Sequence, residues 1–284
     1  MAEANRVNAT STGVGAIRVV SWGHGVFAVT MIALGVLGLI QHDFLPTWAG
    51  VPNGMPGRRV LLYLCSSVSL ATGIGLLWQR TALLASRILL GFFLAWLLLV
   101  RLPNILFAPT VIDTWWGAGD TAVMTAAAWV LFGWFAGDDN GLPSRFATGD
   151  RGLRFARVLY GWGLIPWGIA HFTYLKRTVD LVPGWLPLHV GWAYLTGATF
   201  IAASLAVLTG VFARLAVTLT ALQMGLFALL VWAPRVAAGS LSAFQWGEVV
   251  STLALTAAAW VVADSYHDTA WLAVGARREV RAIA

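Results

Sequence analysis

The sequence predicts an all-α integral membrane protein of eight transmembrane helices, arranged as two parallel-repeat four-helix bundles. Three observations predict it. Of 284 residues, 59% are hydrophobic and only 11% charged, with a mean hydropathy of +0.77. A soluble domain carries roughly 25% charged residues, so the solvent for most of this surface is lipid. Eight apolar segments reach the length of about 20 residues that a bilayer crossing requires. Finally, the residues of the two halves recur at one fixed offset.

The segments, in order, are Ile17–Ile40, Val60–Trp78, Thr81–Leu102, Trp115–Ala136, Phe155–Tyr174, Leu188–Thr209, Phe212–Ala233 and Phe244–Ala263. Lipid offers no partner for backbone polar groups, so each segment is read as a helix. Prolines separate them: Pro46, Pro52 and Pro56, then Pro103 and Pro109, Pro143, Pro183 and Pro187, and Pro234. Pro166 lies inside the fifth segment, where it is expected to kink the helix or free a carbonyl. The first apolar run follows a polar stretch containing Glu3 and is long, which reads as a retained helix rather than a cleaved signal.

Lys and Arg concentrate in cytoplasmic loops. One side would hold twelve of the eighteen: Arg6, Arg18, Arg80, Arg87, Arg145, Arg151, Arg154, Arg157, Arg214, Arg277, Arg278 and Arg281. The other side would hold Arg58, Arg59, Arg101, Lys176, Arg177 and Arg235. Both termini are therefore expected on the cytoplasmic side of the membrane. The net charge of +6 then reflects loop arginines, and nucleic acid is not an expected partner. Cys65 is the only cysteine, which excludes an intrachain disulfide and a CxxC redox pair.

The string TAAAWV occupies Thr125–Val130 and again Thr256–Val261, 131 positions later. The same offset pairs Val51-Pro52 with Val182-Pro183, Tyr63-Leu64 with Tyr194-Leu195, Pro103 with Pro234 and Trp115 with Trp246. His42 matches His171 at an offset of 129. The expected organisation is a four-helix repeat over residues 1–136, a cytoplasmic linker over 137–154 and a second repeat over 155–284. Each unit has an even number of helices, so both enter the membrane in the same direction and their pseudo-twofold lies along its normal.

The stretch RVLYGWGLIPWGIAHF, a short outer connection, and a Gly- and Ala-rich helix running into LTGVFARLA resembles the DoxX-like family of small four-helix membrane proteins. The likeness is best over Arg157–Ala263 and weaker over Arg18–Ala136. The resemblance implies a redox-associated membrane module, since some members are membrane subunits of thiosulfate:quinone oxidoreductase. Members often carry a lysine near the end of the first helix; here His42 and His171 stand in that area, and Lys176 follows later.

Ionisable residues at membrane depth cost roughly 2.5–3.5 kcal/mol at a helix centre, which makes them candidates for function. His42 and His171 end the first and fifth segments; Asp120 and Glu248 lie just inside the fourth and eighth. Each repeat would hold one histidine and one carboxylate in the outer leaflet, pairing His42 with Asp120 or His171 with Glu248. A carboxylate accepting from imidazole fixes its tautomer, and such a pair can relay a proton or hydrogen-bond a quinone. The competing account is a set of polar residues facing headgroups and water.

Gln41, Tyr63, Tyr194 and His189 are expected near the same layer as cofactor contacts. Trp115 and Trp246 join them as stacking residues, or as members of the interfacial aromatic belt. Haem between His42 and His171 is a further alternative, requiring the two to meet at the pseudo-twofold. No metal-binding motif, P-loop or GxSxG elbow occurs. The readings that follow are a quinone-linked subunit of a redox complex, a non-catalytic scaffold, and a small-solute transporter. The expected partners are the bilayer and either a partner protein or a second copy of the chain.

Overall fold

The computed structural model describes residues 19–137, 147–239 and 241–274. Arg6, Arg18, Arg145, Arg277, Arg278 and Arg281, with the middle of the expected linker, lie outside these residues. The described residues are helical, with no β-strand. Among the described residues, eight long helices follow one another: α1 (Trp22–Gln41), α2 (Arg58–Leu77), α3 (Ala82–Phe107), α4 (Ile112–Ala136), α5 (Gly149–Thr173), α6 (His189–Thr209), α7 (Ala213–Ala237) and α8 (Ala243–Asp264). Six of them, all but α4 and α5, are long and apolar enough to cross a membrane, which is compatible with a multi-pass membrane protein. Helices α4 and α5 have 25 residues each but are less apolar.

Each expected segment falls on one of these helices, with two informative differences. Pro103 and Pro234 were expected to end the third and seventh segments, yet α3 and α7 continue past them to Phe107 and Ala237. A π-helical turn, Leu97–Arg101 in α3 and Ala228–Trp232 in α7, ends at the second residue before each proline. The wider turn accommodates a ring that would otherwise clash with the carbonyl four residues back. The other difference is at α5, which starts at Gly149 rather than Phe155 and so takes up part of the expected linker.

Each helix packs on the next, α8 returns to α1, and α4 and α8 meet across the middle. The repeated hexamer lies on this central pair. Ala126, Ala127 and Ala128 in α4, and Ala257, Ala258 and Ala259 in α8, are all 0% exposed. Small side chains let helices approach closely where lipid supplies no hydrophobic drive for association. At the α4–α5 crossing, a Cβ on Gly119 would stand 2.6 Å from the Gly163 carbonyl oxygen. Only glycine fits there. The outward faces of α1–α3 and α6–α7 expose Val29, Val60, Ile74, Leu99, Leu195, Leu205 and Leu229, and such apolar faces suggest contact with the lipid bilayer.

Several elements recur at the sequence offset. The straight part of α3, Ala82–Trp96, and that of α7, Ala213–Phe227, begin and end 131 positions apart, as do the two π turns. The last residue of each π turn donates to a threonine on the helix that follows. Arg101 Nε reaches Thr121 Oγ1 at 3.0 Å, and Trp232 Nε1 reaches Thr252 Oγ1 at 3.1 Å.

At the opposite end, residues 265–274 fold back under the α6–α7 turn. Arg214 donates to the His267 and Thr269 carbonyls at 2.9 and 2.8 Å and lies 4.1 Å from the Trp271 ring centroid. The backbone N–H of Phe212 donates to Ala273 O. Arg214 therefore clamps this segment as well as adding charge to the turn.

Candidate functional site

Helix α5 ends at Thr173, and the chain then forms a short helix, Leu175–Val179, before a Pro- and Gly-containing connection to α6. That short helix bears Lys176 and Arg177, which cannot be buried cheaply without partners. It stays on the surface, and between it and the start of α8 a cleft of about 910 Å³ remains. Tyr174, Lys176, Arg177 and Asp180 line one side; Ser242, Phe244, Gln245 and Glu248 of the α8 start line the other; Trp232 and Leu181 close the base. Ser242 and Gln245 are held by a capping box in which Ser242 Oγ accepts from Gln245 N and Gln245 Oε1 accepts from Ser242 N. The α8 terminus, and Glu248 one turn in, are therefore fixed in position. Trp232 and Val249 pack with Val231 in a small apolar cluster of their own, which stiffens the base.

The corresponding end of α1–α4 is closed. Its first connection dips inward as a 3₁₀ turn, Pro46–Trp48, in which Thr47 and Trp48 are 1% and 2% exposed. Arg101 meets this turn from α3, donating to Thr47 O at 3.1 Å and Pro46 O at 3.4 Å. Its guanidinium lies against Gly117, where any side chain would collide with it. Thr47 Oγ1 donates to Ser251 Oγ of α8 at 3.0 Å. Trp48 stacks on Phe93 at 4.8 Å between centroids and donates to Ser69 Oγ at 3.1 Å.

Asp120, one residue before the Arg101 partner Thr121, is buried and accepts from Trp167 Nε1 at 2.8 Å. Among the described residues no ion pair joins Asp120 to Arg101. Trp167 in turn accepts, through its carbonyl, from His171 Nδ1 at 2.7 Å. A carbonyl only accepts, so the neutral His171 carries its proton on Nδ1 and keeps Nε2 as an acceptor. Trp116 and Phe200 flank that imidazole at 6.4 and 5.4 Å.

The other expected site residues are dispersed. His42 caps α1 in the left-handed region at φ 53 and pairs with Tyr63, whose hydroxyl lies 3.2 Å from Nδ1. These two, with Arg59 and Leu62, line a separate pocket of about 290 Å³. Gln41 ties the end of α1 to the start of α8 by donating to Ala243 O at 2.8 Å. Trp115 donates to Pro109 O, Tyr194 stacks on Phe172, and Trp246 is 41% exposed. His189 opens α6, with Nε2 shielded from solvent and without a hydrogen-bond partner among the described residues. Of the two expected His–carboxylate pairs, neither is bonded among the described residues. Instead Asp120 and His171 share Trp167, across the α4–α5 crossing, while Glu248 faces the cleft.

Outside the spans, Asp43 forms an ion pair with Arg58 at 2.8 Å. The hydrogen bond from Arg58 holds the Asp43 carboxyl below the usual carboxylate range. His24 is fully buried, and both ring nitrogens are engaged. Nδ1 accepts from Val20 N, which places the proton on Nε2, and Nε2–H donates to Leu76 O at 3.0 Å. That leaves His24 no lone pair for a ligand.

Reasoning from sequence missed Arg101, Thr47 and Trp232 as site-forming residues. The signal was the offset itself, which sets Glu248 opposite Gly117 and Trp232 opposite Arg101. Comparison with known protein families, with characterised proteins and with solved structures returns no match in any of the three.

Proposed function

We propose that this protein is a tandem pair of DoxX-like four-helix units, α1–α4 and α5–α8, in the bacterial inner membrane with both termini cytoplasmic. In this reading it serves as the membrane subunit of a quinone-linked redox complex, and the cleft beside Glu248 takes the quinone head group. The tandem reading is supported by the common offset of helices, π turns and cross-helix bonds. The single observation that carries the functional reading is the cleft, whose volume of about 910 Å³ falls in the range of small-molecule sites.

The lining suits such a ring. Lys176 and Arg177 are donors for carbonyl oxygens, and Trp232, Phe244 and Leu181 provide an apolar wall. Quinone and quinol interconvert by two electrons and two protons, the electrons coming from a partner redox protein. Glu248 is the one carboxylate on the helix side of the cleft, placed to accept or return a proton at its Oε atoms. Asp180, the other carboxylate of the lining, would pass that proton to water.

The reading is tested by titrating the purified protein in lipid nanodiscs with ubiquinone-1 and following tryptophan fluorescence. Saturable quenching is expected, weakened at least about tenfold by Arg177→Ala or Glu248→Trp, which is an increment of about 1.4 kcal/mol. Absence of saturable quenching, or wild-type affinity in both variants, contradicts it.

A further inference from the structure

We propose that the N-terminal unit contains a second cleft of the same kind, filled by the chain's own Pro46–Trp48 turn and latched by Arg101. The inference rests on the tandem reading. Two wall residues of the open cleft, Trp232 and Glu248, correspond to Arg101 and Gly117 at the common offset. Arg101 and Trp232 hold the same place in their π turns, and each donates to a threonine 20 residues on. The two walls are thus the same surface with different side chains.

What stands before the walls differs. In the C-terminal unit it is open volume bounded by the short helix Leu175–Val179. In the N-terminal unit it is the turn Pro46–Trp48, with Thr47 O and Pro46 O accepting from Arg101. The sequences of the two connections give the reason. Phe44-Leu45-Pro46-Thr47-Trp48 carries no charge and can be buried whole, whereas Tyr174-Leu175-Lys176-Arg177 carries two cations that keep its helix at the surface. Gly117 completes the exchange, because a carboxylate-bearing residue like Glu248 would occupy the space of the Arg101 guanidinium.

The filled cleft also shows what α3 holds there. A flat indole lies on Phe93, and two carbonyl oxygens face one guanidinium. A planar ring bearing carbonyl acceptors is the ligand class these contacts fit. Arg101 is the residue that would meet such a ligand once the turn withdraws.

The test is thiol labelling, which needs no bound ligand and so stands apart from the outcome of quinone titration. In a Cys65→Ser background, Thr47→Cys and Glu248→Cys variants in nanodiscs are exposed to a membrane-impermeant maleimide. Glu248→Cys is expected to label at least about tenfold faster than Thr47→Cys. Adding Arg101→Ala, or the smaller change Arg101→Gln, is expected to raise Thr47→Cys labelling at least about tenfold, while Glu248→Cys labelling stays constant. Equal labelling of the two cysteines with Arg101 present overturns the plug. Unchanged protection of Thr47→Cys in a folded Arg101→Gln protein overturns the latch.

Discussion

Trp167 links two of the expected site residues. Its indole satisfies the buried Asp120, and its carbonyl orients His171. Trp167→Phe keeps the ring and removes the donor, leaving a buried carboxylate short of a partner. The expected loss is about 1–3 kcal/mol, seen as a lower midpoint of thermal unfolding in detergent. Asp120→Asn, which keeps an accepting oxygen and discards the charge, should cost less than Trp167→Phe.

Asp43 gives a pH-dependent prediction at the same scale. Its carboxyl is depressed by the Arg58 hydrogen bond, so the folded protein holds fewer protons there than the unfolded chain. The stabilisation is complete above the unfolded carboxylate value of about 3.9 and fades as pH falls through the lower folded value. Asp43 is 64% exposed, so the effect is screened by salt and no larger than about 1 kcal/mol. Thermal unfolding followed from about pH 7 to about pH 3 should show an acid-side loss that shrinks in Asp43→Asn and at high salt.

Among the helices, a glycine at a crossing and one on an open face separate close packing from simple permissiveness. Gly119→Ala puts a Cβ against the Gly163 carbonyl oxygen, a backbone atom that cannot swing away. Separating α4 from α5 should cost about 1–3 kcal/mol. Gly91 in α3 has nothing near its missing Cβ, so Gly91→Ala should be neutral or stabilising by up to about 1 kcal/mol. Equal effects of the two would contradict the packing described for α4 and α5.

The elements were legible in the sequence because lipid imposes one length and one backbone solution on every apolar segment. The ends were not, since a proline reads as a stop unless a π turn absorbs it, as before Pro103 and Pro234. Of the expected site residues, Glu248 does face a cleft and His171 does sit in a polar cluster. Their partners were not legible. Whether a carboxylate meets a histidine depends on helix rotation, and the α4–α5 crossing hands Asp120 to Trp167 instead. The inward dip of Pro46–Trp48 was also hidden, because an uncharged loop looks the same in sequence whether it covers a bundle or enters it.

At the scale of the whole molecule, the proposed tandem units share one surface design and put it to different uses. The N-terminal unit spends its end on internal packing and the buried Arg101, while the C-terminal unit leaves the same place open. The α4–α8 pair joins them through a seam of fully buried alanines. A partner that delivers electrons would have to approach the end of the molecule where Lys176 and Arg177 stand.

The central claim is that the cleft beside Glu248 holds a quinone head group. It is tested most directly by photolabelling the protein in nanodiscs with an azido-ubiquinone and mapping the modified peptides by mass spectrometry. The account predicts label within residues 173–181 or 232–248, displaced by excess ubiquinone-1 and lost in Glu248→Trp. Label confined to the lipid-facing surfaces of α1–α3, or label that excess ubiquinone-1 does not displace, would contradict it.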